Sequence, residues 1–227
     1  MLTNADVKYW APNPAMLDKL EGEIFKGARV LEIGPGRVPF SRATHFVDWR
    51  AGDNIVSCDL SRDRLPFADK EFDFVYCRHV LEDLYNPFLA CDEMSRVAKA
   101  GYIETPSPLA EICRGIDGTS PPWRGYHHHR YFVWVEDDDL FFAPKYPIVE
   151  HLSFGDEMLI SNALRDNEFL WNSYLSWEGR INWRLLQHDV DYTIGNGYRD
   201  VILKAVKIGM ANALESAPVE LSYSMAS

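Results

Sequence analysis

Long apolar runs are missing from this sequence. The longest fall far short of a membrane span, and the opening MLTNADVKYW has no basic stretch followed by an apolar one, so the expectation is a soluble, cytoplasmic chain. CxxC spacing is missing too. The four cysteines, Cys58, Cys77, Cys91 and Cys113, are scattered, which argues for reduced thiols rather than disulfides or a zinc site. Positive charge is scarce: 23 Lys and Arg face 34 Asp and Glu, a formal net charge of −11. General affinity for nucleic acid or an anionic membrane is therefore not expected, which leaves only local basic patches for such contacts. There is no internal repeat and no low-complexity tract. What the 227 residues do have is apolar content, 47% of the chain, enough to build a real core in one sizeable domain.

The apolar positions also carry a pattern. Residues 13–25 place Met16, Leu17, Leu20 and Ile24 at helical spacing, with Asn13 as N-cap and Pro14 in the first turn. Short strand patterns follow at 28–33, 44–49, 54–60, 72–77 and 101–105, the fourth apolar on both faces as a central parallel strand should be. RHVLEDLY and NPFLACDEMSRVAK read as helix after the fourth strand. Asn86 and Pro87 restart it, Ala90, Cys91, Met94, Val97 and Ala98 form its apolar face, and Asp92 and Arg96 form an exposed i,i+4 pair. Further on, 126–135 reads as a strand, EDDD as an acidic turn, LFFAP as its hairpin partner and 156–167 as a helix. GRINWRLLQHD and YRDVILKAVKIGM are open between strand and helix.

Strands alternating with helices predict an α/β fold with a Rossmann-like, doubly wound, mostly parallel sheet. In such sheets ligands bind outside the carboxyl ends of the strands. The turn Gly34–Pro35–Gly36, Asp48, Asp59, Cys77–His79 and Thr105–Ser107 all fall at those ends. A glycine turn there is either a tight connection or a place where backbone approaches a ligand, and the accumulation of polar residues at the other ends favours the ligand. A dinucleotide would want G-x-G-x-x-G and a helix facing its pyrophosphate. Here Pro39 stands at the third glycine position. S-adenosylmethionine (SAM) has no phosphate. It needs a backbone turn beside its methionine part, an acid for the ribose hydroxyls and a polar group near the adenine, an order that Gly34–Gly36, Asp48 and Asp59 supply.

The ordered set VLEIGPG, VD, LPFADKEFDFVYCRHVLEDL and EMSRVAKAGYIETPSP resembles the class I SAM-dependent methyltransferases, in the branch where LPF-x-D-x-x-FD precedes the fourth strand and HVLE follows it. The resemblance spans residues 29–108, near a third of the chain. It implies that Glu32, Gly34, Pro35 and Gly36 form the glycine loop and that Asp48 is the ribose acid. It further implies Asp59 flanked by Leu60 on the adenine side, and Cys77, Arg78 and His79 beside the methionine moiety. The chain departs from the family between Asp48 and Ile55, where six residues are too few for a parallel crossover, so either the helix between strands two and three is missing or strand three is vestigial. Ala100-Gly101 replaces the family's usual Gly-Gly.

The expected activity is SAM-dependent methyl transfer to a small-molecule acceptor of the sugar or secondary-metabolite type, at oxygen or nitrogen. The alternatives are a non-catalytic or degenerate SAM-binding module and, behind it, a dinucleotide-dependent oxidoreductase. Methyl transfer needs positioning more than a fixed base, and His79 is the candidate base or acceptor contact. Glu104 points to the same region or pairs with Arg130. The organisation expected is a single domain over 1–227: a SAM-binding core at 25–108, an aromatic-rich substrate lid at 109–150 and a C-terminal completion of the sheet at 151–227. In the lid, Trp123, Tyr126, the histidines 127–129, Arg130 and Tyr131 would close over the acceptor, with Tyr126, His128, His129 and Arg130 the acceptor contacts. His127 and His129, with Asp137 or Asp139, could hold a metal if 126–135 were a strand. A histidine pair without a fixed third ligand is more often structural, so no metal site is expected.

Overall fold

The computed structural model describes residues 11–186 and 195–217. The opening MLTNADVKYW and the end of the GRINWRLLQHD stretch lie outside them. Helix α1, Pro14–Glu23, starts where Asn13 Oδ1 accepts from the Ala15 and Met16 amides, and it buries Met16 and Leu20. The sheet then builds from β1 (Val30–Ile33), β2 (His45–Asp48), β3 (Ile55–Ser57), β4 (Phe72–Arg78) and β5 (Ala98–Pro106). Helix α2, Pro87–Val97, crosses from β4 to β5. Past β5 come α3 (Pro108–Ile112), the hairpin β6 (Tyr131–Glu136) and β7 (Asp139–Pro144), then α4 (Glu157–Asp166), β8 (Asn172–Glu178), β9 (Trp183–Leu185) and α5 (Gly195–Ser216).

The main sheet has the order β3-β2-β1-β4-β5-β8, parallel throughout except for β8, which runs antiparallel along β5. Its two faces bury separate clusters. Val30, Tyr76 and Tyr102 face α1, α3 and α5, whereas Leu31, Ile33, Val75, Cys77 and Ile103 face α2. A smaller sheet of order β6-β7-β9 packs beside it. No helix lies between β1 and β2, between β2 and β3, or between β3 and β4. The β2–β3 link was expected to be helix-free from its length, and Pro39 marks the β1–β2 loop.

Several local expectations need correction. RHVLEDLY is not helical. His79 takes φ +53°, and its amide donates to Glu104 O at 2.9 Å, so the chain leaves β4 through a left-handed turn. The strand read at 126–135 begins only at Tyr131. The His129 amide closes a turn onto Tyr126 O and the Arg130 amide donates to Glu82 O, so 126–130 pairs with the turn after β4 instead. His127 and His129 therefore do not alternate along a strand. Arg96 pairs with Glu93 at 2.6 Å and Asp69 at 2.9 Å rather than with Asp92, because its guanidinium also reaches the carbonyls of Leu65 and Phe67. Asp92 instead accepts from Trp183 Nε1. Of the two ambiguous stretches, the first yields β9 and the second lies in α5.

The segment 109–150 does not hang over the sheet as a flap. Its first part is α3 and its last part is the β6–β7 hairpin, both in the core. Between them the buried Arg124 guanidinium binds Ile112 O, Leu152 O and the Glu157 carboxylate. Gly125 lies so close that an added Cβ would stand 2.3 Å from Glu111 Oε2.

Candidate functional site

Two cavities open at the carboxyl ends of the parallel strands. One, of about 740 Å³, is lined by Glu32, Pro35, Arg37, Tyr76 and Arg78, with Pro12 at its rim. The other, of about 640 Å³, is lined by Asp48, Trp49, Asp59, Leu60, Tyr85 and Arg130, among others. They share a wall of five residues: Gly34, Gly36, His79, Asp83 and His128.

The wall rests on the glycine turn. The Gly34 amide donates to Val47 O, which ties the end of β1 to β2, and Gly34 and Gly36 have φ +68° and +55°. These are conformations that a side chain resists. A Cβ at Gly34 would stand 2.6 Å from Val80 Cγ2, whereas one at Gly36 would meet nothing closer than 4.0 Å. The chain has thus kept both positions bare, one against a packed neighbour and one against open space.

Acidic groups ring this turn. Asp48, at the end of β2, accepts the Arg50 amide on Oδ1 at 2.9 Å. Asp59 accepts the Ser61 amide and stands 3.6 Å from Arg62. Glu32 is buried and accepts the Phe40 amide at 2.9 Å. Burial pushes its carboxyl up to about 7 despite that bond. Asp83 is raised to about 6, by burial first and then by the neighbouring Glu82.

His79 stands between two buried carboxylates, with Nδ1 3.4 Å from Glu82 and Nε2 3.6 Å from Glu104. Glu104 also receives Arg78 Nε at 2.9 Å, the Tyr102 hydroxyl and the Asn172 amide. Burial raises the Glu104 carboxyl, but His79 and Arg78 outweigh it and hold the group below its ordinary value. Arg130 is not the partner of Glu104. It donates to Asp83 O and stacks over Tyr85 at 3.5 Å.

Most of the residues singled out from sequence thus meet in one place. Glu32, Gly34, Pro35, Gly36, Asp48, Asp59, Leu60, Arg78, His79, His128 and Arg130 all line one cavity or both. Cys77 does not: on β4 it alternates with Tyr76 and Arg78, and it lies in the core cluster on the α2 face. Tyr126 is buried in the other cluster. His129 is also buried, with Nδ1 2.6 Å from Glu111, which Lys145 holds from the far side. Trp123 and Tyr131 line neither cavity. The sequence reading missed Asp83, Trp49, Tyr85 and Arg37. Asp83 lay hidden because its stretch looked helical; Trp49 follows the predicted strand-end acid directly and could have been found there.

A parallel sheet of order 3-2-1-4-5, with a bare glycine turn and strand-end acids facing cavities at its carboxyl ends, defines a Rossmann-like α/β fold. The sequence narrows this further. Residues 31–103, which run from β1 into β5, match the family model described as methyltransferase domain. No curated protein matches the chain in sequence. Among solved structures, the chain is similar to a SAM-dependent methyltransferase from Thermotoga maritima (20% identity, 40% of this chain and 49% of that one, TM-score 0.32). It is also similar to one from Mesorhizobium loti (16%, 45% and 59%, 0.35) and one from Aquifex aeolicus (16%, 48% and 75%, 0.33). The match spans about half the length of the Thermotoga protein.

Proposed function

We propose that this protein transfers a methyl group from SAM to a small acceptor, at oxygen or nitrogen. The observation that carries the reading is the shared wall: the glycine turn of the matched domain separates, and borders, two cavities rather than one. The cavity with Asp48, Asp59 and Leu60 suits an adenosine, with Asp48 as acceptor for the ribose hydroxyls and Trp49 and Leu60 as apolar walls. The bare backbone at Gly34 and Gly36 leaves room for a ligand chain that a Cβ would crowd. The cavity with Glu32, Arg37 and Arg78 then receives the amino and carboxylate ends and, beyond them, the acceptor. Bound SAM supplies a methyl already activated on a sulfonium.

The protein's part is to position the acceptor and exclude water. His79 sits at the meeting point of the cavities, held by Glu82 and Glu104 in a left-handed turn. A non-glycine residue in that conformation is costly and is retained where the surroundings over-determine it. His79 is the residue placed to take a proton from the acceptor, and His128 and Arg130 are placed to contact it. Tyr126 and His129 support these residues from the core.

Calorimetric titration with SAM, S-adenosylhomocysteine and NAD tests the reading. Binding of the first two and not the third is expected. Binding of NAD alone would overturn it. SAM binding with no demethylated product across hydroxyl and amine acceptors would point to a SAM-binding module without turnover.

A further inference from the structure

The wall between the cavities holds a second constellation, one that gives His128, the acceptor contact above, and the buried His129 a further partner in Asp83. Asp83, His128 and His129 each offer one ligand atom, and the three atoms lie within 4.8 Å of one another. His128 Nε2 is 3.6 Å and His129 Nε2 is 4.0 Å from the same Asp83 oxygen, Oδ1. The three belong to two segments, the turn after β4 and the turn before β6, and the Arg130 amide pins one to the other through Glu82 O.

The surroundings of His129 set it apart from a histidine that merely fills space. Its Nδ1 faces Glu111 Oε1 at 2.6 Å, and Glu111 is fully buried and paired with Lys145. A carboxylate that accepts from Nδ1 fixes the ring orientation and leaves Nε2 as the electron-pair donor, the outer-shell device that orients metal-ligating histidines. Nε2 is the atom nearest Asp83. The buried member of the trio is thus pre-aimed. The other two are half exposed, at 42% and 53% of their side chains, and can adjust.

We propose that Asp83, His128 and His129 form a binding site for one divalent transition-metal ion at the wall the two cavities share. Two imidazoles and one carboxylate are the borderline ligand set that suits zinc first, and iron(II) next. Around a tetrahedral ion with bonds of about 2.0–2.2 Å, ligand atoms stand roughly 3.3 Å apart. The present separations from Asp83 Oδ1, 3.6 and 4.0 Å, exceed that value by less than an ångström. An ion there balances the carboxylates of Asp83 and the adjacent buried Glu82. Three protein ligands leave at least one coordination position, and because Asp83 and His128 line both cavities, that position is reachable from either. On the methyltransferase reading it would take an oxygen or nitrogen of the acceptor.

The test is titration of the untagged full chain with zinc ions alone, in the absence of SAM, so that its outcome is separate from that of the methyl-transfer reading. One saturating equivalent is expected. Asp83→Asn and His128→Ala, both at half-exposed positions, should each weaken zinc at least tenfold. His127→Ala should leave affinity within twofold, because His127 faces Asp117 at 3.4 Å and lies outside the trio. Absence of one-to-one binding by the parent chain would overturn the proposal. So would an equal loss from His127→Ala and His128→Ala, the signature of an unstructured surface run of histidines.

Discussion

The two halves of the main sheet are built differently. On one side, β4, β5 and β8 are seven, nine and seven residues long, and α2 crosses between the first two. The carboxyl ends of β4 and β5 and the amino end of β8 are knotted by Glu104, which gathers Arg78, His79, Tyr102 and Asn172 around one buried carboxylate. On the other side, β1, β2 and β3 are four, four and three residues long, joined by loops with no helix. There Val38, Trp49 and Val56 stay exposed. The long half holds the fold together; the short half has no helix in its links and gives those loops to the cavities. Stability leans on the long half, whereas the short half lends its loops to the cavities beside the turn after β4, and mutations should separate the two.

The largest effect should come from Glu104→Ala. It strips the partner from Arg78 and His79 in a buried site, so unfolding in urea should show a loss of about 3–5 kcal/mol. A loss below about 1 kcal/mol would mean that the long half does not depend on this knot.

Glu32 comes next, on β1 where the two halves meet. Its carboxyl is raised from 4.5 to about 7 by burial, so between those values the folded state keeps a proton that the unfolded chain has lost. Stability must fall as pH rises through that window, by up to about 3 kcal/mol. Denaturation curves at pH 5 and 8 should reveal the slope, and Glu32→Gln should remove it while keeping an acceptor for the Phe40 amide.

Gly34→Val acts on the short half. The new side chain meets Val80 and opposes φ +68°. SAM affinity should drop at least about 100-fold, equivalent to about 2.7 kcal/mol, in a protein whose circular dichroism still shows the α/β fold. The smallest effect expected is that of Asp48→Ala, a loss of about 2 kcal/mol in SAM binding with thermal stability nearly unchanged. If Asp48→Ala lowered stability as much as it lowered binding, the division between the halves would fail.

How far the sequence could be read follows the same division. The five parallel strands and the residues at their ends were legible, because apolar runs punctuated by Gly, Asp and Pro reflect local physics. The turn after β4 was not. RHVLEDLY has helical spacing, and contacts distant in sequence hold it in a turn: the His79 amide on Glu104 O, the Arg130 amide on Glu82 O and the His79 ring between Glu82 and Glu104. Residues 126–130 look like the start of a strand because aromatic and apolar residues follow. Their actual partner is the backbone of Glu82, 48 positions upstream. The Arg96 pairing failed for a related reason. Helix periodicity suggested Asp92, whereas the carbonyls of residues 65 and 67 draw the guanidinium the other way. The segment 109–150 was placed over the mouth by chain position and aromatic content; the core holds most of it through contacts such as those of Arg124 and Gly125, and His128 and Arg130 reach the cavities.

The shared wall has a consequence for the order of events in solution. Occupants of the two cavities touch the same five residues, Gly34, Gly36, His79, Asp83 and His128. Two such occupants are not independent. Whatever factor the first imposes on the affinity of the second, the second returns to the first, because the coupling free energy belongs to the pair. A histidine held in a left-handed turn between two carboxylates is the natural carrier of that coupling, since any ligand that shifts its ring on one side reshapes the opening on the other. On the methyl-transfer reading, saturation curves for cofactor and acceptor should each move when the other is present, and by the same factor.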